Sequence, residues 1–188
     1  MKRNNKILLI LKNMIFYYIP NHIVNKIPIY FIRNFYYKKI MKISIGKKTS
    51  IHLNVYIEGI NPFKKRLIIG KTTSVGRNSY LDTRGTIKIG DNVSISPDVK
   101  IITGQHDLNS NNFEYISSPV EIEDYVWIGS GAIILPGVRL GKGSVVAAGS
   151  IVTKSVENYS VVAGNPAKIL KKRNKNLEYE VIYFEPFE

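Results

Sequence analysis

The sequence predicts an all-β fold, a parallel β-helix, from two observations. Aliphatic side chains recur every six residues over most of the chain, and small or turn-forming residues stand between them. A helix repeats at about 3.6 residues and a strand at about two, so a period of six indicates a chain that turns a corner after each short strand. Successive coils then stack, and each coil buries its inward side chains against its neighbours.

The apolar ladder runs in three phased sections. It shifts by two residues after Ile87, and it stops after Ile101 and resumes at Ile122. Three repeats to a coil give a little over five coils between residues 43 and 155, and an irregular turn is expected at "NPFKKR". The expected core positions are Ile45, Ile51, Ile57, Phe63, Ile69, Val75, Leu81, Ile87, Ile89, Ile95, Ile101, Ile122, Ile128, Ile134, Leu140, Val146 and Val152.

Both ends of the chain lie outside the ladder. Residues 1–42 are a basic segment with interleaved aromatic residues, for which helical structure is expected. Asn165 and Pro166 have the pattern of a helix N-cap and a first-turn proline, which predicts a short helix through Lys172. The predicted organisation is therefore an N-terminal segment (1–42), a β-helix domain (43–165) with a loop at 104–119, and a C-terminal helix and tail (166–188).

The net charge of +13 comes from the N-terminal end. Residues 1–50 hold eleven basic residues and no acidic one, whereas the other 138 residues hold 16 basic and 14 acidic ones. Cations among aromatic residues suit peripheral association of residues 1–42 with an anionic membrane. They also suit packing of the aromatic residues on the main domain or on a neighbouring subunit. No nucleic-acid partner is expected, because no binding motif accompanies the charge.

The same segment bears on location. Lys12 and Asn13 interrupt the apolar cluster of residues 7–11, so neither a membrane-spanning helix nor a cleavable signal is expected. We therefore expect a cytoplasmic protein, placed at the inner face of the membrane if residues 1–42 bind lipid.

The break at residues 104–119 is the candidate functional region, because loops this long in compact domains are usually functional. It carries His106 after a polar "TGQ" turn, whereas His22 and His52 have no functional neighbour in the sequence. A neutral imidazole can take a proton from a hydroxyl group near neutral pH. The chain has no cysteine, which excludes disulfides, thiolate catalysis and thiolate metal sites.

The ladder, "VWIGSGAIILPGVRLGKGSVVAAGSIVTK" and "VVAGNPAKILKK" together resemble the left-handed β-helix acyltransferases over residues 43–173. The most similar branch holds the maltose, galactoside and nodulation-factor O-acetyltransferases and their polysaccharide-cluster relatives. The resemblance implies a left-handed coil and a homotrimer with acetyl-CoA bound between adjacent prisms. It also implies acetyl transfer to a hydroxyl of a sugar or polysaccharide precursor of the capsule or O-antigen type.

The resemblance also implies site residues. His106 would be the general base, and its candidate supporting residues are Asp82, Asn78 and Glu114. Relatives carry an asparagine where this chain has Gly76. A backbone N–H near Ser130 or Trp127 of the neighbouring chain would bind the oxyanion, and no metal is expected. The expected acetyl-CoA contacts are Trp127, Ser130, Ala148, Thr153, Lys154, Lys168 and Lys171, with the last two standing where relatives have arginine.

Several alternatives remain open at the level of the sequence. They are an antibiotic (xenobiotic) acetyltransferase, a nucleotide-sugar N-acetyltransferase, a non-catalytic binding module and a γ-carbonic-anhydrase-like protein. The last needs three histidines per zinc site, which this chain does not supply in its repeats. A serine acetyltransferase is disfavoured because the large helical N-terminal domain of that group is missing. The sequence does not name the acceptor, its reacting hydroxyl or the acyl length.

Overall fold

A computed structural model describes the backbone of residues 2–182 and the side chains of residues 6–182. The N-terminal segment is helical, as predicted. It comprises α1 (Lys2–Asn13), a π-helical turn (Met14–Tyr18), α2 (Ile19–His22), a 3-10 turn (Val24–Lys26), α3 (Tyr30–Phe35) and a second π-helical turn (Tyr36–Ile40).

The described chain then continues as short strands. They are β1 (Ser44–Ile45), β2 (Ser50–Ile51), β3 (Tyr56–Glu58), β4 (Leu67–Ile69), β5 (Ser74–Val75), β6 (Tyr80–Asp82), β7 (Ile87–Ile89), β8 (Ser94–Ile95), β9 (Lys100–Ile101), β10 (Gly104–His106), β11 (Tyr115–Ser117), β12 (Val120–Ile122), β13 (Trp127–Ile128), β14 (Ile133–Ile134), β15 (Arg139–Leu140), β16 (Val145–Val146), β17 (Ile151–Val152), β18 (Ser160–Gly164) and β19 (Ala167–Lys172).

Three sheets form the walls of a prism, and the predicted parallel β-helix is confirmed. The first sheet has the order β1-β4-β7-β12-β15, the second β2-β5-β8-β13-β16-β18-β19, and the third β3-β6-β9-β14-β17. Each coil places one strand in each sheet, and equivalent strands of successive coils pair in parallel, as β4 does with β7. Five coils are complete, and β18 begins a sixth.

The ladder side chains fill the inside of the prism. From Ile51 to Val152 its aliphatic members are at most 2% exposed. The two-residue shift of the ladder occurs within β7. The first and last side chains of this three-residue strand, Ile87 and Ile89, are both buried, so the six-residue spacing restarts from the second of them. The expected core position of Phe63 is wrong, because its side chain is 87% exposed. The irregular turn expected around it is a loop of residues 59–66 that leaves the coil and carries the side chain out of the core.

Residues in the left-handed conformation turn the corners. Asn54, Asn78 and Asp98 have φ values of 59°, 60° and 63°. Asparagine and aspartate tolerate this region better than other residues with a β-carbon. At Gly129 the coils approach so closely that a Cβ would lie 2.5 Å from the Ala148 nitrogen. The small and polar corner residues of the repeat therefore follow from backbone geometry.

The N-terminal segment covers the open end of the first coil. The side-chain amide of Asn21 pairs there with the backbone of Ile57, as a neighbouring strand would. Its Nδ2 donates to the Ile57 carbonyl at 2.9 Å, and its Oδ1 accepts from the Ile57 N–H at 2.8 Å. Tyr37 and Met41 are each 1% exposed and join the core. Uncovered, the first coil would present unpaired backbone groups. Packing on the main domain, one of the two expected roles, therefore applies to this part of the segment.

One expectation about α1 is wrong. Lys12 and Asn13 do not end the apolar stretch, because the helix continues through them into the next turn and α2. The helical stretch Lys6–Lys26 is long and apolar enough to cross a membrane by length and composition. Only 17% of its most apolar window is buried. A single such helix near an N-terminus is weak evidence for a span.

The predicted C-terminal helix is also wrong. β18 and β19 form an antiparallel hairpin, and Asn165 and Pro166 make its turn. β18 also pairs in parallel with β16. The sheet therefore takes up the backbone hydrogen bonds that a helix would need, and this outweighs the local N-cap pattern. After the hairpin, the tail lies against the prism, where the rings of Tyr179 and Tyr125 meet edge to face at 5.5 Å. Residues 183–188 of the predicted tail lie outside the described residues.

Candidate active site

The break in the ladder is an antiparallel hairpin, β10–β11. It leaves the prism where the chain passes from the third sheet (β9) to the first (β12), and we call this edge of the prism the hairpin corner. His106 stands opposite Tyr115 in the hairpin register. The successive coils contribute residues 59–66, 83–86, 102–119, 135–138 and 153–155 to this corner.

The His106 ring is held by Phe113, which the sequence did not single out. Nδ1 lies 2.8 Å from the Phe113 carbonyl oxygen. Because a carbonyl only accepts, Nδ1 carries the proton and Nε2 of the neutral ring keeps a lone pair. Among the described residues Nε2 has no hydrogen-bond partner. The Phe113 ring stacks on the imidazole at 3.7 Å and 12°, and the Tyr115 ring meets it edge-on at 5.6 Å. Because His106 is an exposed residue, this orientation leaves Nε2 available to accept a proton.

Asp82 holds the root of the hairpin rather than the imidazole. Its carboxylate is buried, and Oδ2 accepts from the backbone N–H groups of Thr103 and Gly104 at 3.1 and 3.0 Å. The two carboxylate oxygens also pair with Arg84, at 2.8 Å to Nε and 3.1 Å to Nη2. No hydrogen bond joins Asp82 to His106 within the described chain. Asp82 is therefore a positioning residue, acting on the strand that carries the histidine.

Arg84 links this ion pair to the hairpin. Its guanidinium carbon lies 5.3 Å from the centre of the Tyr115 ring. A Cβ at Gly104 would come within 1.8 Å of the Tyr115 hydroxyl, so the ring can lie over the hairpin root only because residue 104 is glycine. Asp82, Arg84 and Tyr115 thus form a continuous contact path to the edge of the His106 ring.

The ionisation states follow from these contacts. Burial would raise the pKa of Asp82, but the hydrogen bonds from Arg84 and Thr103 outweigh it, and the pKa lies below its ordinary value. The hydrogen bond to Asp82 raises the pKa of Arg84. Burial raises the pKa of Tyr115. At neutral pH the path therefore holds a carboxylate, a guanidinium and a neutral phenol.

Neither of the other two candidates for supporting His106 reaches it. Asn78 lies at a different corner, between the second and third sheets, where its N–H donates to the Leu53 carbonyl at 3.2 Å. Glu114 lies in the hairpin, where its backbone carbonyl accepts from the Asp107 N–H at 2.8 Å. Its carboxylate is exposed and has no hydrogen bond to the described residues. The His106 Nδ1–H donates instead to the backbone carbonyl of Phe113, which no sequence motif marks.

Two of the residues expected to contact acetyl-CoA stack at the corner between the second and third sheets. Ser130 and Ala148 are exposed and occupy equivalent positions of successive coils, and the Gly149 N–H donates to the Ser130 carbonyl at 2.8 Å. The Trp127 N–H is already bonded to the Ser144 carbonyl at 3.0 Å. The Ser130 N–H has no acceptor among the described residues. Of the two expected oxyanion donors, Ser130 is the available one.

The remaining expected contacts lie elsewhere. Thr153 and Lys154 are exposed at the hairpin corner, two coils beyond the hairpin, or about 10 Å away for strands about 4.8 Å apart. Lys168 and Lys171 are exposed on β19, at the edge of the second sheet. A single chain therefore does not bring all the expected acetyl-CoA contacts to one place. It also keeps His106 and Ser130 at different corners. The side chains that the structure describes include no group of three or more His, Asp or Glu that could hold a metal ion.

Comparison with known proteins gives a consistent result. The profile of the bacterial transferase hexapeptide family (six repeats) matches residues 119–154. A protein of Escherichia coli named "putative colanic acid biosynthesis acetyltransferase" is 35% identical over 129 residues, which cover 69% of each chain. Galactoside O-acetyltransferase of the same organism is 42% identical over 115 residues, or 56% of each chain. The chain spans about half the length of several such relatives, between 46% and 58%.

Solved structures agree with these relatives. A hexapeptide-repeat-containing acetyltransferase of Vibrio cholerae matches with a TM-score of 0.74 at 30% identity, over 83% of this chain and 88% of that one. The structure of the same kind of protein complexed with acetyl coenzyme A matches with a TM-score of 0.66 at 27% identity, over 83% and 84% of the two chains.

Proposed function

The chain belongs to the hexapeptide-repeat acyltransferase family, and on that premise we propose that it is an acetyl-CoA-dependent O-acetyltransferase. The acceptor is a hydroxyl of a sugar or of a polysaccharide precursor. The observation that carries the proposal is the state of the exposed His106, whose Nδ1–H donates to the Phe113 carbonyl while Nε2 has no partner in the described chain. The names of the relatives, galactoside O-acetyltransferase among them, support acetyl as the group transferred and a sugar as the acceptor class.

The reaction needs one proton relay. Nε2 of His106 takes the proton of the acceptor hydroxyl as its oxygen attacks the thioester carbonyl carbon. The resulting oxyanion accepts a hydrogen bond from the backbone N–H of Ser130. When the intermediate collapses, the carbon–sulfur bond breaks, and the imidazolium returns the proton to the departing thiolate. The products are the acetyl ester and CoA, and the histidine is neutral again.

This mechanism requires a partner chain. His106 projects from the hairpin corner, whereas Ser130 lies at the corner between the second and third sheets, so one chain does not place both at one reaction centre. We infer a homotrimer in which the hairpin of one protomer reaches the Ser130 corner of the next. Sedimentation equilibrium supports this if the mass is three times 21.3 kDa, and a monomeric active enzyme contradicts it.

The test of catalysis is His106→Ala, with His22→Ala as the matched control at an exposed histidine of the N-terminal segment. Release of CoA from acetyl-CoA is followed with a panel of sugars and aminoglycosides, so that antibiotic acceptors are also sampled. Loss of the general base should lower kcat by about 10²- to 10⁴-fold. The control should keep its rate, and unchanged turnover in His106→Ala would refute the mechanism.

We also propose that the N-terminal segment binds the inner face of the cytoplasmic membrane. The side chains of Ile7 to Leu11 are 46% to 67% exposed. Five consecutive apolar residues cover every side of α1, which suits lipid better than a one-sided protein contact. The basic residues around this cluster, with no acidic residue among them, suit anionic lipid.

A deletion that tests this proposal should end at Asn13, because Asn21 caps the first coil. The full chain should float with phosphatidylglycerol vesicles and only weakly with phosphatidylcholine vesicles, and the deletion should abolish flotation with phosphatidylglycerol. Unchanged flotation of the deletion variant contradicts the proposal.

A further inference from the structure

The hairpin corner contains a second feature, a cleft of ≈ 380 Å³ beside the foot of the hairpin. Its lining includes Lys64, Lys65, Arg66 and Arg84, together with Ser117 and small residues, and among the residues that the structure describes it includes no carboxylate. We call it the cationic cleft. We propose that it binds a phosphate group of the acceptor, so that the enzyme acetylates a phosphorylated sugar in preference to a free one. This inference rests on the proposed function.

The location of the cleft follows from the topology. Both breaks in the ladder, the loop of residues 59–66 and the hairpin, occur at the hairpin corner, and residues 83–86 pass between them. The cleft therefore lies on the N-terminal side of the hairpin. Thr153 and Lys154, which are expected to contact acetyl-CoA, lie on the C-terminal side of the hairpin at the same corner. The hairpin thus separates the cleft from this part of the expected donor site.

The cleft is within reach of the reacting group. The Arg84 guanidinium carbon is 5.3 Å from the centre of the Tyr115 ring, which is 5.6 Å from the centre of the His106 ring. The two distances place the imidazole at most 10.9 Å from the guanidinium. A phosphate held in the cleft therefore lies close enough for a sugar attached to it to approach Nε2.

The charge of the cleft is not compensated by the described chain. Arg84 is paired with the buried Asp82, but Lys64, Lys65 and Arg66 make no ion pair with the residues the structure describes. The Glu58 carboxylate, whose charge contributes to the raised pKa of Tyr115, does not line the cleft. Three unpaired cations at one corner contrast with the near balance of charge over residues 51–188. A phosphate offsets their mutual repulsion and accepts charge-assisted hydrogen bonds.

The hydrogen bonds beneath the cleft do not involve the lysine side chains. The Gly85 N–H donates to Thr103 Oγ1 at 2.8 Å, and that hydroxyl donates to the Asp82 carbonyl at 2.6 Å. The Ser118 N–H donates to the Thr103 carbonyl at 2.8 Å. Removing the lysine charges should therefore leave the hairpin and its histidine in place. Lysine ammonium groups are mobile point charges, so the cleft can serve a monophosphate ester or a diphosphate.

The binding test uses inorganic pyrophosphate and isothermal titration calorimetry on the full chain, with saturating CoA present to occupy the donor's own phosphate contacts. Lys64→Ala/Lys65→Ala is compared with Lys47→Ala/Lys175→Ala, which removes the same charge at two exposed lysines without ion pairs in the described chain. The cleft variant should bind pyrophosphate about tenfold or more weakly, and the control should bind as the wild type does. Equal affinity in the cleft variant, or no binding by the wild type, overturns the proposal.

The transfer test identifies the source of the phosphate. Acetyl transfer is measured to methyl galactoside, galactose 1-phosphate, UDP-galactose and a farnesyl-diphosphate-linked galactose, which separate sugar phosphates, nucleotide sugars and lipid-linked sugars. At least one phosphorylated acceptor should exceed the neutral one about tenfold in kcat/KM, and Lys64→Ala/Lys65→Ala should remove that preference. Equal transfer to neutral and phosphorylated acceptors overturns the role of the cleft and leaves the proposed function standing. Intact pyrophosphate binding without transfer to any acceptor counts against the proposed function instead.

Discussion

Replacement of Asp82 by asparagine tests whether this buried carboxylate holds the root of the hairpin that carries His106. Oδ1 accepts from the N–H and Nε of Arg84, and Oδ2 from Nη2 of Arg84 and the N–H groups of Thr103 and Gly104. Asparagine keeps the shape but turns one oxygen into a donor, so at least two of these N–H groups lose their acceptor. The Arg84 side chain is 43% exposed, so water can solvate the guanidinium that loses its partner. The cost therefore comes mainly from the buried N–H groups left without an acceptor and is about 1–3 kcal/mol. At about 2–4 °C per kcal/mol for a chain of this length, the Tm should fall by about 2–12 °C.

The assay is thermal unfolding followed by circular dichroism, with Glu123→Gln as the matched control. Glu123 pairs with Arg139, but the two side chains are 32% and 51% exposed, and exposed pairs contribute only about 0–1 kcal/mol. Below the unfolding transition, Asp82→Asn should also lower kcat while leaving the KM for acetyl-CoA within about twofold, since the expected donor contacts are untouched. If the two variants lower the Tm equally, the reasoning about the hairpin root is wrong.

The same carboxylate predicts a pH dependence. The folded-state pKa of Asp82 lies below the ordinary value of 3.8. Its contribution to stability is therefore complete above about pH 3.8 and is lost as the pH falls through the lower folded-state pKa. Urea unfolding should show a large gap in stability between wild type and Asp82→Asn at pH 7, and a smaller gap below pH 3.8. A gap that stays constant into the acid range contradicts the assigned ion pair.

Three further substitutions probe the site and the core. Phe113→Ala removes the ring stacked on His106 but keeps the carbonyl, so kcat should fall about two- to tenfold for a stacking free energy of about 0.5–1.5 kcal/mol. Gly104→Ala forces the Tyr115 ring off the hairpin root, and because that ring is 41% exposed and can move outward, the free energy of unfolding should change by only about 0.5 kcal/mol or less while kcat falls. Ile128→Ala empties a ladder position that is 0% exposed, and it should cost about 2–5 kcal/mol in the free energy of unfolding.

Leu108→Ala serves as the control for these variants, because Leu108 is 97% exposed in the hairpin. It should change stability by less than about 0.5 kcal/mol and leave kcat unaltered. A Phe113→Ala enzyme with full activity would show that the stack does not orient the imidazole. An unchanged kcat in Gly104→Ala, or a loss of stability for Ile128→Ala no larger than for Leu108→Ala, would contradict the packing described for that position.

The sequence predicted the repeat and the position of the break well, because both follow from the local periodicity of the aliphatic residues. Six-residue spacing of aliphatic residues specifies which side chains point inward in every coil, and the coils pair only with their neighbours. Prediction failed where a contact distant in sequence decided the outcome. The pairing of β18 with β16 turned a helix-capping pattern into a hairpin, and continuation of the helix through Lys12 joined two apolar clusters into one long stretch.

By itself, then, the sequence determined the β-helix, the ladder core and His106 as the residue at the break. The tertiary structure decided what surrounds that histidine: the Phe113 carbonyl that sets its tautomer, the Asp82–Arg84 pair that holds its strand, and the cationic cleft beside it. Lys64 and Arg84 are 20 positions apart and meet only because each coil returns to the same corner. The core depends on spacing along the chain, whereas the site depends on which side chains the stacked coils place side by side.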